Sequence, residues 1–175
     1  MERARGGDQG QAGRPGWLFE FLEGDSRGWG MFQNLQGTVK RRFVIEANGR
    51  WVGSRFELSE VFTYDDGKIE TRTWHLSMSG EQTFSATCAD CVGKARGRLT
   101  RDSAEMRYVF RLKLENRVID LDFHDRFVPV GRDGLMNRAQ VKKFGIKVGE
   151  VTAFFMRAGA TNADMGETRM AEAAE

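Results

Sequence analysis

A carboxylate, Glu60, and a guanidinium, Arg72, lie in two adjoining stretches, Trp51–Tyr64 and Ile69–Met78, whose alternate residues are mostly large and apolar. Such a pair in a protein interior can do three things. It can close on itself as a structural ion pair; Arg72 can anchor an anionic group, with Glu60 as its counter-ion when the site is empty; or Glu60 can act as a general acid or base. The other chemistry-bearing residues are His75, His124 and the cysteines of Cys88-Ala-Asp-Cys91. This CxxC has no second pair to complete a zinc site. On an extended strand, residues three apart point to opposite faces, so two reduced thiols and no metal are expected. Asp90, between them, is a second candidate acid or base. No GxSxG, P-loop or HExxH pattern is present, and no cofactor is expected.

A hairpin is what must bring Glu60 to Arg72. If Asp65-Asp66-Gly67 forms a type I turn with Gly67 as a left-handed bulge, Tyr64 pairs with Lys68, Phe62 with Glu70, Glu60 with Arg72, Leu58 with Trp74 and Phe56 with Leu76. A two-residue turn would mix charged and apolar residues on both faces, so the bulged register is preferred. In a second hairpin, a turn at Glu115-Asn116 pairs Leu114 with Arg117, Leu112 with Ile119, Phe110 with Leu121 and Tyr108 with Phe123. One face is then wholly apolar. The other sets Arg111 opposite Asp120 and Arg107 opposite His124, as a solvated wall would. His75 is likewise expected to face outward.

The rest of the chain has the same character. Its 175 residues are enough for one domain, and 21 Gly against only 2 Pro suits a meander of tightly turned strands. After a short helical piece, Trp17–Leu22, alternating runs follow at Gly28–Gln33, Thr38–Ala47, Trp51–Tyr64, Ile69–Met78, Gln82–Cys88, Val92–Leu99, Glu105–Leu114, Val118–Phe123, Phe127–Val130, Gly134–Val141 and Ile146–Arg157. Asn48-Gly49 and Arg132-Asp133-Gly134 read as connections. The expectation is an all-β protein of about ten strands in a closed antiparallel up-and-down barrel, with a β-sandwich as its competitor. The small face Gly93, Ala95, Gly97 and Leu99 is either a cavity wall or the seat of a bulky side chain. Residues 1–16 and 158–175 are expected to be disordered tails around a barrel domain spanning 17–157.

With 27 Lys and Arg against 25 Asp and Glu, the net charge of +2 gives little drive toward nucleic acid. The stripe Lys94, Arg96 and Arg98 repeats every two residues and so occupies one strand face. It is expected to be a solvated outer face, with peripheral contact to an acidic surface as the functional alternative. No signal peptide or transmembrane segment is read, which predicts a cytoplasmic protein.

Several blocks together, Gly28-Trp-Gly-Met-Phe32, Lys40-Arg-Arg-Phe43, Phe62-Thr-Tyr-Asp-Asp-Gly67, Arg72-Thr-Trp74, Val92-Gly-Lys-Ala-Arg-Gly97, Asn137-Arg-Ala139 and Lys143 through Thr152, resemble a bacterial domain-of-unknown-function family, number 3833 (DUF3833). The resemblance implies a lipocalin-like or calycin-like barrel. Relatives often carry a lipoprotein signal, which is not expected here, and are met beside genes for fatty-acid modification, which implies a lipid-related role. By analogy with the lipocalin group, Trp29 would close one barrel end under a late-strand cation, Arg138 or Arg157. The reading that follows is non-enzymatic binding of a small hydrophobic or amphipathic ligand in the barrel. Arg72, Glu60, Trp74, Tyr64, Phe62, Tyr108 and Asn137 are the candidate contacts. An enzyme or accessory factor in lipid modification, and a scaffold without ligand, are the alternatives.

Overall fold

The structure, a computed structural model, describes residues 16–160; the expected tails fall almost wholly outside them. A single turn and a half of helix, α1 (Trp17–Leu22), precedes ten strands: β1 (Gly24–Asn34), β2 (Val39–Val52), β3 (Arg55–Tyr64), β4 (Ile69–Met78), β5 (Thr83–Thr87), β6 (Cys91–Leu99), β7 (Ala104–Leu114), β8 (Arg117–Val130), β9 (Gly134–Lys143) and β10 (Ile146–Arg157). Each strand pairs antiparallel with the next, and β1 pairs with β10, so the sheet closes into an up-and-down barrel without edges. No described helix is long and apolar enough to cross a membrane.

Both hairpins read from the sequence form in the expected register. Glu60 lies opposite Arg72 and Leu58 opposite Trp74. Gly67 adopts φ +81° and Tyr64 N–H donates to Lys68 O at 2.9 Å, the bulged turn that parity required. Likewise Leu112 pairs with Ile119, Phe110 with Leu121 and Tyr108 with Phe123.

Two connections differ. Asn48-Gly49 is no turn: β2 runs through it to Val52, and the chain reverses at Gly53, whose φ is +61°. Gly49 instead makes room for the helix, since a Cβ there would stand 2.0 Å from Leu22 O. The runs Val118–Phe123 and Phe127–Val130 are one strand, β8, because the charged residues His124, Asp125 and Arg126 keep the alternation instead of breaking it.

A six-residue helix is not stable by itself and must be held by what it touches. Here α1 plugs one end of the barrel. Phe19 is fully buried, with its ring 5.4 Å from Phe56, 5.7 Å from Phe84 and 5.7 Å from Trp51. Trp17 Nε1 donates to Thr100 O at 2.9 Å. From the last strand, Arg157 lays its guanidinium 5.2 Å from the centre of the Phe21 ring and donates to Glu20 O in the final helical turn, where a cation complements the helix dipole.

The opposite end has no such plug. Inward residues near the helix, such as Phe56, Leu76, Phe84 and Leu135, are buried, whereas Phe32, Tyr64, Leu112 and Leu121 toward the other hairpins are only half-buried. The barrel is therefore closed at one end and open at the other. The small face of β6 is not open wall: Gly97 lies opposite Phe84 of β5, and a Cβ on it would come within 2.0 Å of that ring. Gly93, at φ +72°, serves a bulge on the outside.

Candidate functional site

Inside the barrel is a cavity of about 380 Å³. Strand alternation sends Phe56, Leu58, Glu60, Phe62 and Tyr64 of β3 inward, and Leu76, Trp74, Arg72 and Glu70 of β4 against them. From the far wall come Met106, Tyr108, Phe110 and Leu112 of β7, Leu121, Phe123, Asp125 and Phe127 of β8, and Leu135 and Asn137 of β9. All seven candidate ligand contacts, Arg72, Glu60, Trp74, Tyr64, Phe62, Tyr108 and Asn137, line this one cavity.

The polar groups form a belt part-way along the barrel, not at an end. Glu60, Arg72, Tyr108, Asp125 and Asn137 have the helix, Leu58, Trp74, Met106 and Leu135 on the closed side, and Phe62, Phe110, Leu112 and Leu121 toward the mouth. Glu60 and Arg72 retain some exposure, and it is to the cavity they line.

Within the belt the charges are incompletely satisfied. Although Glu60 and Arg72 are register partners, no ion pair closes between them within 4.0 Å among the described residues. The Arg72 guanidinium lies between two rings, 4.9 Å from the centre of Phe62 and 4.4 Å from Phe110, and its Nε has no hydrogen-bond partner. Asp125 is 6% exposed. Its Oδ1 accepts from Asn137 Nδ2 at 2.9 Å, while Oδ2 is unpartnered. Tyr108 stacks on Phe123 at 5.2 Å and meets Trp74 edge-on at 5.1 Å.

Burial governs the proton affinities here. It raises the pKa of Glu60, with Arg72 and Trp74 opposing and Asp125 reinforcing the shift. It pushes Asp125 up to about 6 despite Asn137, Tyr108 and Arg72. Tyr108 is raised well above an ordinary phenol by burial and by Asp125. For Arg72, burial works against the charge, but Glu60 and the other nearby groups outweigh it and the pKa rises.

Nearer the mouth, the Tyr64 hydroxyl donates to Glu70 Oε2 at 2.9 Å, and Arg41 lies 3.3 Å from the centre of the Tyr64 ring. Lys68 Nζ reaches Glu70 at 2.7 Å. Burial, with Glu70 adding to it, pushes the Tyr64 hydroxyl up to about 12.

Sequence reasoning missed Asp125, Arg41 and Glu70 as cavity residues. The signal was parity: Asp125 shares it with Leu121, Phe123 and Phe127, and Arg41 with Phe43, Ile45 and Ala47.

The expected barrel-closing group does not assemble. Trp29 is 45% exposed because Gly28, Gly30 and Phe32 take the inward positions of β1, and among the described residues the cation over it is Arg27, at 5.6 Å. Arg138 is outside, bonded to Glu150 at 2.9 Å. Arg157 does cover the closed end, but over Phe21 and not Trp29.

The remaining candidates lie off the cavity. His75 faces Glu57 and His124 faces Glu105 on the outer wall. Asp90 stands in the β5–β6 turn near Lys113, at 3.4 Å. That turn brings the two cysteines together, against the opposite-face geometry of an extended strand: Cys91 N–H donates to Cys88 O at 3.1 Å. Burial pushes the Cys88 thiol up to about 11, away from nucleophilic use. Lys94, Arg96 and Arg98 are exposed along β6, with Arg96 directly opposite Arg107.

Among solved structures, the S-type phycobiliprotein lyase CPES of Guillardia theta superposes with a TM-score of 0.62 at 10% identity, covering 82% of this chain and 92% of that one. The likeness is one of fold. EF1p2_mFAP2b bound to DFHBI and a redesigned β-barrel align at TM-scores of 0.42 each, with 12% and 10% identity, over 79% of this chain and 94% and 93% of theirs. No curated protein matches in sequence. The family model for proteins of unknown function DUF3833 matches residues 9–157, and the chain, with its closed barrel and belted cavity, belongs to that family.

Proposed function

We propose that the barrel binds a small amphipathic molecule of fatty-acyl type, without altering it, its acidic head on the Arg72 belt and its chain along Phe62, Phe110, Leu112 and Leu121 toward the mouth. The observation that carries this is a cavity of about 380 Å³ with apolar walls on both sides of one guanidinium that has no ion-pair partner among the described residues. That volume falls within the range of pockets that hold small ligands. An acidic head would supply Arg72 with the charge-assisted bonds it lacks. Burial raises the pKa of both Glu60 and Asp125, so these carboxyls oppose an incoming anion less than exposed ones would. Native mass spectrometry of the protein from its own host, followed by lipid extraction, tests the reading. A co-purifying fatty-acyl species supports it; an empty barrel that also fails to take up a fluorescent fatty acid removes it.

A second reading, proton transfer by Asp125, rests on its carboxyl titrating near 6 inside the cavity with one oxygen unpartnered. Incubation with added ligand in deuterium oxide separates the two, because proton transfer at carbon would bring solvent deuterium into the ligand and raise its mass, whereas binding alone returns it unchanged.

A further inference from the structure

At the mouth of the barrel, four neighbouring hairpin tips expose large apolar side chains. Around the rim the order is β3–β4, β1–β2, β9–β10 and β7–β8. Ile69 belongs to the first, Leu35 to the second, Phe144 and Ile146 to the third, and Leu114 and Val118 to the fourth. Phe144 is 88% exposed and Ile146 70%. The closed end is different. Its turns, around Ser54, Gly80, Asp102 and Arg132, expose Val52 and Val130 but no Leu, Ile or aromatic residue among the described ones.

Phe144 is the most informative of these. Lys143 pairs with Ile146, so Phe144 and Gly145 are the two loop residues of the hairpin, at φ +52° and +77°. This is the turn for which Asn-Gly is preferred, because a side chain branching from a left-handed backbone meets its own carbonyl. A bulky aromatic stands in the position that Asn would fill with less strain, and it is 88% exposed rather than packed into the barrel. Folding does not explain it, and contact with something outside the chain does.

The charges around the rim indicate what that something is. Lys143 Nζ lies 5.3 Å from the centre of the Phe144 ring. Many charges at this end are paired, as Lys113 is with Asp90 and Lys147 with Glu150. Lys40, Arg117, Lys142 and Lys143 have no carboxylate within 4.0 Å among the described residues, against Glu115 and Asp122 as unpaired acids. Scattered apolar tips at one end of the barrel, interleaved with cations, match an anionic bilayer, where side chains enter the headgroup layer and the cations meet phosphate. A protein groove would ask for a continuous apolar face, whereas these tips are separated by polar turns.

The geometry points to the open end docking on an anionic lipid surface, with Phe144 and Ile146 as its inserted anchors. The cavity mouth then faces the bilayer. This inference stands on the rim alone and does not depend on what the cavity holds.

The test is sedimentation of the full chain with vesicles of phosphatidylcholine alone and of phosphatidylcholine with phosphatidylglycerol. The protein pellets with the second kind, less so as salt is raised, and little with the first. The double variant Phe144→Asn/Ile146→Ser, in which Asn suits the left-handed turn and the fold is kept, loses affinity by about tenfold or more. Val52→Ser, at the closed end, binds as the unaltered chain does. Failure to pellet with anionic vesicles overturns the proposal, and so does equal binding by the double variant. Sedimentation velocity without vesicles provides the remaining arm: a dimer that the double variant abolishes makes the rim an interface between copies and overturns the lipid assignment.

Discussion

The guanidinium of Arg72 lies 4.4 Å from the centre of the Phe110 ring, contributed by the far wall of the barrel, and forms no ion pair with Glu60, its own register partner. A cation held between rings is kept from collapsing onto the carboxylate beside it, and so stays available. Arg72→Met keeps most of the volume and removes the charge. Affinity for a fatty acid is expected to fall at least about tenfold, the effect of losing charge-assisted hydrogen bonds, while the melting temperature changes little. Titration with a fluorescent fatty acid beside a thermal melt checks both.

Asp125 gives the protein a stability that declines as pH rises. Its folded pKa of about 6 lies above that of an ordinary aspartate, so between about pH 4 and pH 6 the folded state holds a proton that the unfolded state has released. Stability is full below about pH 4, falls as pH rises toward 6 and is flat above, a loss of about 3 kcal/mol across the window. Glu60 shifts in the same direction and adds to it. Asp125→Asn keeps an oxygen for Asn137 and is expected to raise stability at pH 7.5 while leaving it nearly unchanged at pH 4. Urea melts at the two pH values measure the difference.

The plug depends on Phe19. Replacing a fully buried ring that touches Phe56, Phe84 and Trp51 leaves a cavity at the closed end. Phe19→Ala is expected to destabilise the fold by about 3–5 kcal/mol in a denaturant melt.

Gly49 offers the complementary perturbation, from the wall side. A methyl there would meet Leu22 O, which is backbone and cannot swing away. Gly49→Ala is expected to cost about 1–3 kcal/mol and to loosen the helix. Amide hydrogen exchange should accelerate at Phe19 and Glu23, whose N–H groups bond to Gly16 O and Phe19 O. Unchanged exchange at both amides would count against the close packing of α1 on β2.

What could be read before folding was local. The pairing of Glu60 with Arg72 follows from one turn glycine and one alternation, both within 20 residues of sequence, and Tyr108 against Phe123 follows in the same way. Three kinds of information were not local. The consecutive charges His124, Asp125 and Arg126 look like a loop until the cavity supplies a reason for an inward carboxylate. Gly49 looks like a turn residue until the helix, 27 positions earlier at Leu22, is known to lie on it. Trp29 suggests a core aromatic, and only the inward Gly28 and Gly30, with Phe155 and Phe43 packed over them, show that it must face out.

The seam between β1 and β10 has a consequence for how the chain comes together. Every other ladder joins strands that follow one another and can zip from its own turn as soon as both are made. The pairing of Ser26 with Arg157 joins the two extremes of the barrel, and Arg157 is also the residue that reaches the helix. Synthesis must therefore deliver the last strand before the first can be covered. Until then β1 and β9 are bare edges able to recruit foreign strands. One late arginine thus completes the sheet and secures its plug in the same event, so closure of the wall and sealing of the end are a single step of assembly.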